Sequence, residues 1–365
     1  MNKSAHSFDD QFVIPSLHQQ LSLFEMPAES PDVYFNAPNI DLDDYDKIIL
    51  ANSTGKDSLA CMLHLLDLGV EHSKLELWHH LVDGNEGSDL MDWPFMDDYM
   101  KQIAQAYELP LYFSWLEGGF EAEMLKEDSY SKPHKVETPD GLITLLRDTK
   151  RGNPGTRRRF PQQSASLQTR WCSSSLKIDV SRRAISNQSR FDGQKVLFVT
   201  GERRQESSNR AKYNQLEPHA CDRRNGRKAR HVDAWRPVLN WSEEQVWDKL
   251  REHGVIAPVP YRLGWSRSSC MACIFNSPSI WSTLHAHFPE RTQRIADYED
   301  EFGTTISRKQ QNVVQLAKQA RPIEITDMEA LQQAMSDEYS LPLFTTSDKW
   351  EMPAGAFGTE GCGAV

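Results

Sequence analysis

Six cysteines in 365 residues are too few, and too unevenly spaced, to staple a secreted chain through disulfides. No apolar run approaches the roughly 18–20 residues that a membrane helix needs. Residues 1–10 lack the basic-then-apolar order of a secretion signal. These absences predict a cytoplasmic protein with no membrane partner. No internal repeat is present, which argues against a solenoid. An overall positive charge is also missing, since 41 Lys and Arg face 52 Asp and Glu for a net charge of -11. That balance would speak against a nucleic-acid partner only if the charges were evenly spread, and they are not. From Arg147 to Arg236 the chain carries 22 basic and 8 acidic residues, a local +14, which leaves 19 against 44, or -25, elsewhere. Such a segment is the electrostatic footprint of a polyphosphate, a nucleic acid or an acidic partner. With 39% hydrophobic and 25% charged residues the composition is that of an ordinary globular protein.

Residues 1–44 are polar and interrupted by Pro15, Pro27, Pro31 and Pro38, which predicts an extension. The apolar run at 47–51 reads as a buried strand, and 58–68 as a helix ended by Gly69. Strands at 75–82 and 111–115 and a helix at 94–107 continue the alternation. A helix at 120–126 is followed by a polar loop to residue 165 containing Arg157, Arg158 and Arg159. The rhythm resumes with a helix at 175–185, a strand at 195–200 and a helix at 242–253, started by a Ser242/Gln245 capping box and stopped at Gly254. Further helices are expected within 286–336 and a glycine-containing flexible tail over 346–365. A core domain over 45–285, a helical region over 286–345 and the two extensions follow from this reading. Alternating strands and helices predict an open, mostly parallel α/β sheet whose ligands sit at the carboxyl ends of its strands.

The strongest chemical signal is Ser53-Thr54-Gly55-Lys56-Asp57-Ser58, placed between the first strand and the first helix. Amides at a helix start, a glycine that admits close approach, a lysine and two hydroxyls make an anion-binding turn. It is not a Walker loop, because Leu50 and Asp57 stand where that motif needs glycine and Ser or Thr. Asp83 closes the second strand at the same edge and is a candidate for contact with a nucleotide or its metal. His79 and His80 precede it. Neighbours on a strand point to opposite faces, so these read as structural rather than as a shared metal site. Cys270 and Cys273 have a spacing used for zinc or iron–sulfur ligation. Cys61, within an apolar helix, reads as core.

The Ser-x-Gly-Lys-Asp-Ser turn resembles the pyrophosphate-binding loop of ATP pyrophosphatases. Four further motifs follow in order: Trp171-Cys172-Ser173-Ser174-Ser175-Leu176-Lys177; Gly201-Glu202-Arg203-Arg204 with Arg210; Arg236-Pro237 ahead of Trp241-Ser242; and Tyr261-Arg262-Leu263-Gly264 leading to Cys270-Met271-Ala272-Cys273. Together they are similar to the phosphoadenosine phosphosulfate (PAPS) reductase family over roughly residues 46–280. Within it they most resemble the ATP pyrophosphatases of DNA phosphorothioation, the DndC and SspD types.

The resemblance implies an adenine-nucleotide α-hydrolase-like, Rossmann-like fold and cleavage of ATP between the α and β phosphates. It implies nucleotide contacts from the turn residues, Lys177, Gly201, Glu202 and Arg203. Lys56 would neutralise departing pyrophosphate, Asp57 would help hold Mg2+, and Arg203 and Arg210 would clamp phosphate. Cys172 would join Cys270 and Cys273 around an iron–sulfur cluster or carry sulfur, with Cys221 as an alternative fourth ligand. A cysteine desulfurase and other DNA-modification subunits would be partners. Gly361-Cys362-Gly363 resembles the catalytic tail of the reductases. The alternatives are therefore a PAPS or adenylylsulfate reductase, a tRNA-thiolating enzyme and a non-catalytic nucleic-acid-binding subunit.

Overall fold

Eight strands form one open sheet in the order β5-β4-β3-β2-β1-β6-β8-β7. The computed structural model describes residues 32–227 and 229–358; most of the expected N-terminal extension and Cys362 lie outside them. β1 (Lys47–Ala51), β2 (Leu75–Leu81), β3 (Leu111–Leu116), β6 (Lys195–Val199) and β8 (His231–Trp235) make the five-stranded parallel centre. β1 pairs with β2 on one side and β6 on the other, so the chain reverses its direction of growth across the sheet beside β1. That switch opens a crevice at the carboxyl ends of these two strands.

Strand alternation divides the core. Ile48 and Leu50 enter the larger apolar cluster and Ile49 the smaller one on the opposite face. The larger cluster receives α1 (Lys56–Asp67), α2 (Met96–Ala106) and α5 (Glu243–Glu252) through Leu59, Met62, Tyr99, Ile103, Val246 and Trp247. The short α3 (Gly119–Met124) adds Phe120. Ala184 and Ile185 of α4 (Asp179–Ser186) pack into the smaller cluster. Burial of each large apolar side chain contributes roughly 1.5–3 kcal/mol, which is what holds these amphipathic helices on the sheet.

The expected strands and helices of the parallel centre recur within two residues at most ends, and the Ser242/Gln245 capping box is formed. Two segments differ. The expected polar loop after residue 126 contains an antiparallel hairpin, β4 (His134–Thr138) and β5 (Gly141–Leu145), which extends the sheet beyond β3. Its turn is Pro139-Asp140-Gly141, with Gly141 at φ 111, so the local turn signal was present. The second is β7 (Leu216–Pro218), paired antiparallel to β8, which is interrupted by charge and has no readable alternation.

α6 (Val259–Arg262), α7 (Pro278–His287), α8 (Pro289–Phe302), α9 (Val313–Ala317) and α10 (Met328–Gln333) complete the described chain. Tyr261, Trp281, Leu284, Ile295, Val313 and Leu331 share the larger apolar cluster. The C-terminal helices and residues 346–358 are therefore continuous with the core unit that begins at Val33. Trp350 of that last segment donates its indole N–H to the Val255 carbonyl at 2.8 Å. Among the described residues no helix is long and apolar enough to cross a membrane.

Candidate phosphate-binding site

The crevice beside β1 holds a cavity of about 660 Å³. Ser53, Gly55, Lys56, Asp57, Ser58, Lys177, Gly201, Glu202, Arg203, Arg210 and Cys270 all line it, so residues from four distant sequence motifs meet at one place. Thr54 is buried behind the wall, and Asp83, Cys172 and Cys273 are off the lining.

The loop between β1 and α1 is built by Asn52. Its Oδ1 accepts from the Thr54 N–H at 2.8 Å and from the Ser58 hydroxyl at 3.0 Å, tying both ends of the turn together. Thr54, not Gly55, takes the left-handed conformation, at φ 62. For a β-branched residue this is costly, and its complete burial together with a hydroxyl contact to Met96 Sδ at 2.7 Å holds it there. Lys56 opens α1, its backbone N–H donating to the Tyr261 hydroxyl at 3.1 Å. None of the sequence motifs includes Asn52, although a short polar side chain directly before the turn is the available signal.

Lys56 is buried, at 4% exposure, with its ammonium 3.5 Å from Glu243, 3.6 Å from Asp57 and 5.2 Å from the Tyr261 ring centroid. Burial alone would lower its pKa, but Tyr261, Asp57 and Glu243 outweigh it and the net shift is upward. The lysine therefore stays charged. Glu243, a residue that the motifs do not single out, comes from the first turn of α5.

Arg203, equally buried, pairs its Nε with Asp57 Oδ1. Two residues earlier, a Cβ on Gly201 would fall 2.8 Å from both Asp57 C and Ser58 N. This glycine is what allows the loop after β6 to press against the start of α1. Arg210 pairs with Glu206, while Glu202 accepts from Arg236 Nε at 2.9 Å. Lys56, Arg203 and Arg210 thus face one cavity from both sides of the β1–β6 switch. That arrangement suits a polyphosphate.

A second group surrounds Lys177, which lies in a π-helical stretch (Ser174–Ile178) leading from Trp171–Ser173 into α4. Lys177 keeps contact with solvent through the cavity. Its pKa is raised, first by Cys270, against the opposing effect of burial, with Asp92, Cys172 and Cys273 adding to the rise. Burial pushes the Cys172 thiol up to about 11 and the Cys270 thiol well up, although Lys177 opposes both. The three cysteines are thus brought together electrostatically around a lysine. Among the described residues no group of three or more His, Cys, Asp or Glu side chains is arranged to hold a metal ion. Cys221 is a clear departure: it packs in the smaller apolar cluster, its thiol donating to the Arg182 carbonyl at 3.5 Å, away from the other three. Cys61 is fully buried in the core.

Asp83 Oδ2 accepts the backbone N–H groups of Met91 at 2.8 Å and Asp92 at 2.7 Å. It thereby shapes the segment that presents Asp92 to the cavity. His79 bonds the Asn52 carbonyl and His80 the Ser114 hydroxyl, each through Nδ1 at 2.8 Å. Burial, then His79 and Lys177, lower the His80 pKa to about 3, so its ring is neutral.

Residues 47–276 match the phosphoadenosine phosphosulfate reductase domain, and the chain belongs to that family. It is therefore a member of a family of adenine-nucleotide-utilising domains. A protein of Escherichia phage 186, described as an uncharacterized 37.8 kDa protein in the gpa 5′ region, is 30% identical over 264 residues, covering 69% of this chain and 74% of its own. Among solved structures, the PAPS reductase of Candida auris in complex with phosphate is similar at 16% identity and a TM-score of 0.31, over 58% of this chain and 75% of that one. The FMN adenylyltransferase of Candida glabrata in complex with FAD and inorganic pyrophosphate is similar at 13% identity and a TM-score of 0.34, over 85% and 81% respectively.

Proposed function

We propose that the protein is an ATP pyrophosphatase that activates a nucleic-acid backbone phosphate, most specifically in DNA, for sulfur insertion. The observation that carries this reading is the meeting of Lys56, Asp57 and Arg203 at the β1–β6 switch. A lysine and an arginine are poised there on one anion site, where pyrophosphate would leave. A backbone phosphate oxygen attacks the α phosphorus of ATP, the bond to the β phosphate breaks, and the resulting negative charge is taken up by Lys56 and Arg203. Arg210 clamps from the far wall, and Gly201 and Glu202 keep that wall against the turn.

Asp57, a hard oxygen donor at the cavity wall with its side chain 17% exposed, is the residue that would hold Mg2+. When bound, it would neutralise polyphosphate charge. No step is assigned to an iron–sulfur cluster. Instead a persulfide on Cys172, loaded by a cysteine desulfurase, attacks the activated phosphorus and displaces AMP. A neighbouring thiol, Cys270 or Cys273, then cleaves the remaining S–S bond. This leaves sulfur on the phosphate and a cysteine disulfide that an external thiol reduces. Arg170, Lys177, Arg182 and Arg267 line the same cavity and give a nucleic-acid strand its counter-charge.

The test is pyrophosphate and AMP formation from Mg-ATP, with and without DNA. Release in the wild type that disappears in Lys56→Ala supports the reading. Sulfite formation from PAPS without cleavage of ATP would replace it with the reductase.

A further inference from the structure

Lys56 does not hold its position unaided. The Oε1 atom of Glu243 lies 3.5 Å from its ammonium and also accepts from the indole N–H of Trp247 and the backbone N–H of Phe357, each at 3.3 Å. One carboxylate oxygen thus joins the phosphate-loop lysine, α5 and the C-terminal segment.

That segment is seated closely. Gly355 donates its N–H to the Tyr261 carbonyl at 2.8 Å, and a Cβ there would meet the Trp265 carbonyl oxygen at 2.0 Å. Tyr261 is the same residue whose hydroxyl takes the Lys56 N–H. Gly358 reaches the cavity wall. Between them Phe357 stands at φ 56, a left-handed conformation that an aromatic residue adopts only when its surroundings impose it. The residue is 56% exposed, so burial is not what imposes it; its own N–H bond to Glu243 and that of Gly355 to Tyr261 are.

We propose that Glu243 is a positioning residue for Lys56 and that residues 353–358 form a strap that orients Glu243, making the C-terminal segment part of the phosphate site. This deepens the functional reading above and rests on its assignment of Lys56 to phosphate. Glu243 keeps the ammonium folded under the loop and competes with phosphate for it. Loosening the strap or removing the carboxylate frees the lysine.

Four proteins test this: the full chain, Glu243→Gln, Phe357→Pro and a chain ended after Met352. Two quantities are measured on each. One is the rate at which an N-hydroxysuccinimide ester acylates the Lys56 amine, read by peptide mass spectrometry. The other is the affinity for inorganic pyrophosphate, read by calorimetry. Acylation of Lys56 should rise roughly fivefold or more in all three variants. Combining Glu243→Gln with the shortened chain should add little, because both act through one contact. Unchanged acylation in Phe357→Pro and the shortened chain overturns the proposal, as does an additive double variant. Should the shortened chain not fold, Phe357→Pro decides, since this single exposed substitution removes the donor to Glu243 and, with φ held at about -65°, the left-handed turn of the strap as well. A full chain that binds no pyrophosphate while the variants still expose Lys56 overturns the phosphate reading and leaves the strap standing.

Discussion

Arg203 and Asp57, 146 positions apart in the chain, form a buried ion pair that closes the loop after β6 onto the first turn of α1. The pair does two things at once. It fixes the orientation of Asp57 toward Lys56, and it holds a guanidinium at the cavity wall where polyphosphate charge would collect. Removing Arg203 leaves Asp57 with Lys56, 3.6 Å away, as its remaining counter-ion, and takes away one charge-assisted bond. Arg203→Ala is therefore expected to lower unfolding stability by about 1.5–3 kcal/mol in urea titrations. It should also abolish pyrophosphate release. A variant with unchanged stability would mean that Lys56 alone suffices for Asp57.

Gly201→Ala tests the close approach directly. The added Cβ would lie 2.8 Å from backbone atoms of Asp57 and Ser58, and backbone cannot swing aside as a side chain does. Overpacking of this kind costs about 1–3 kcal/mol. The start of α1 should shift, and the catalytic rate should fall further than substrate affinity. Steady-state kinetics and a melting curve on one preparation check both parts.

Asp83 supplies a pH dependence whose sign can be worked out. Burial, with Asp92 adding, raises its pKa from 3.8 to about 7. Between those values the folded protein keeps a proton that the unfolded chain has lost. Stability from this group is therefore present below the ordinary carboxylate range, falls as pH rises through the window and levels off above about 7. Only Oδ2 accepts the Met91 and Asp92 N–H groups, while Oδ1 is buried without a partner. Asparagine can keep both bonds through its carbonyl. The stability of Asp83→Asn relative to wild type should improve steadily from pH 4 to pH 7 in denaturant titrations.

Glu299 looks similar and should behave in the opposite way on substitution. Burial raises it to about 7 as well, but its two oxygens each accept a separate backbone N–H, from Ile306 and Val313, both at 2.7 Å. A glutamine would turn an amide N–H2 against one of these donors. Glu299→Gln should cost about 1–3 kcal/mol and expose the region around α8 and α9 to hydrogen exchange. Glutamine tolerated without loss would mean that the carboxyl is already protonated and donating.

The parallel centre and the phosphate turn are legible in the residues themselves, because both are local. Ile48, Ile49 and Leu50 make a short apolar run of the kind a strand buried on both faces uses, and Gly55-Lys56 at the following helix start needs no distant partner to be recognised. The Trp171, Gly201 and Tyr261 motifs were legible as pieces whose common destination the family pattern implied. Tertiary structure alone decided what those pieces do to one another. Glu243 became the counter-ion of Lys56 because α5 packs beside α1, and nothing in its neighbourhood of sequence marks it. Cys221 left the cysteine set because strand β8 and its loop carry it to the other face of the sheet. The glycine-containing composition of residues 346–358 predicts a flexible tail. Gly355 instead lets that segment press against Trp265, a contact between residues 90 positions apart that no local pattern encodes.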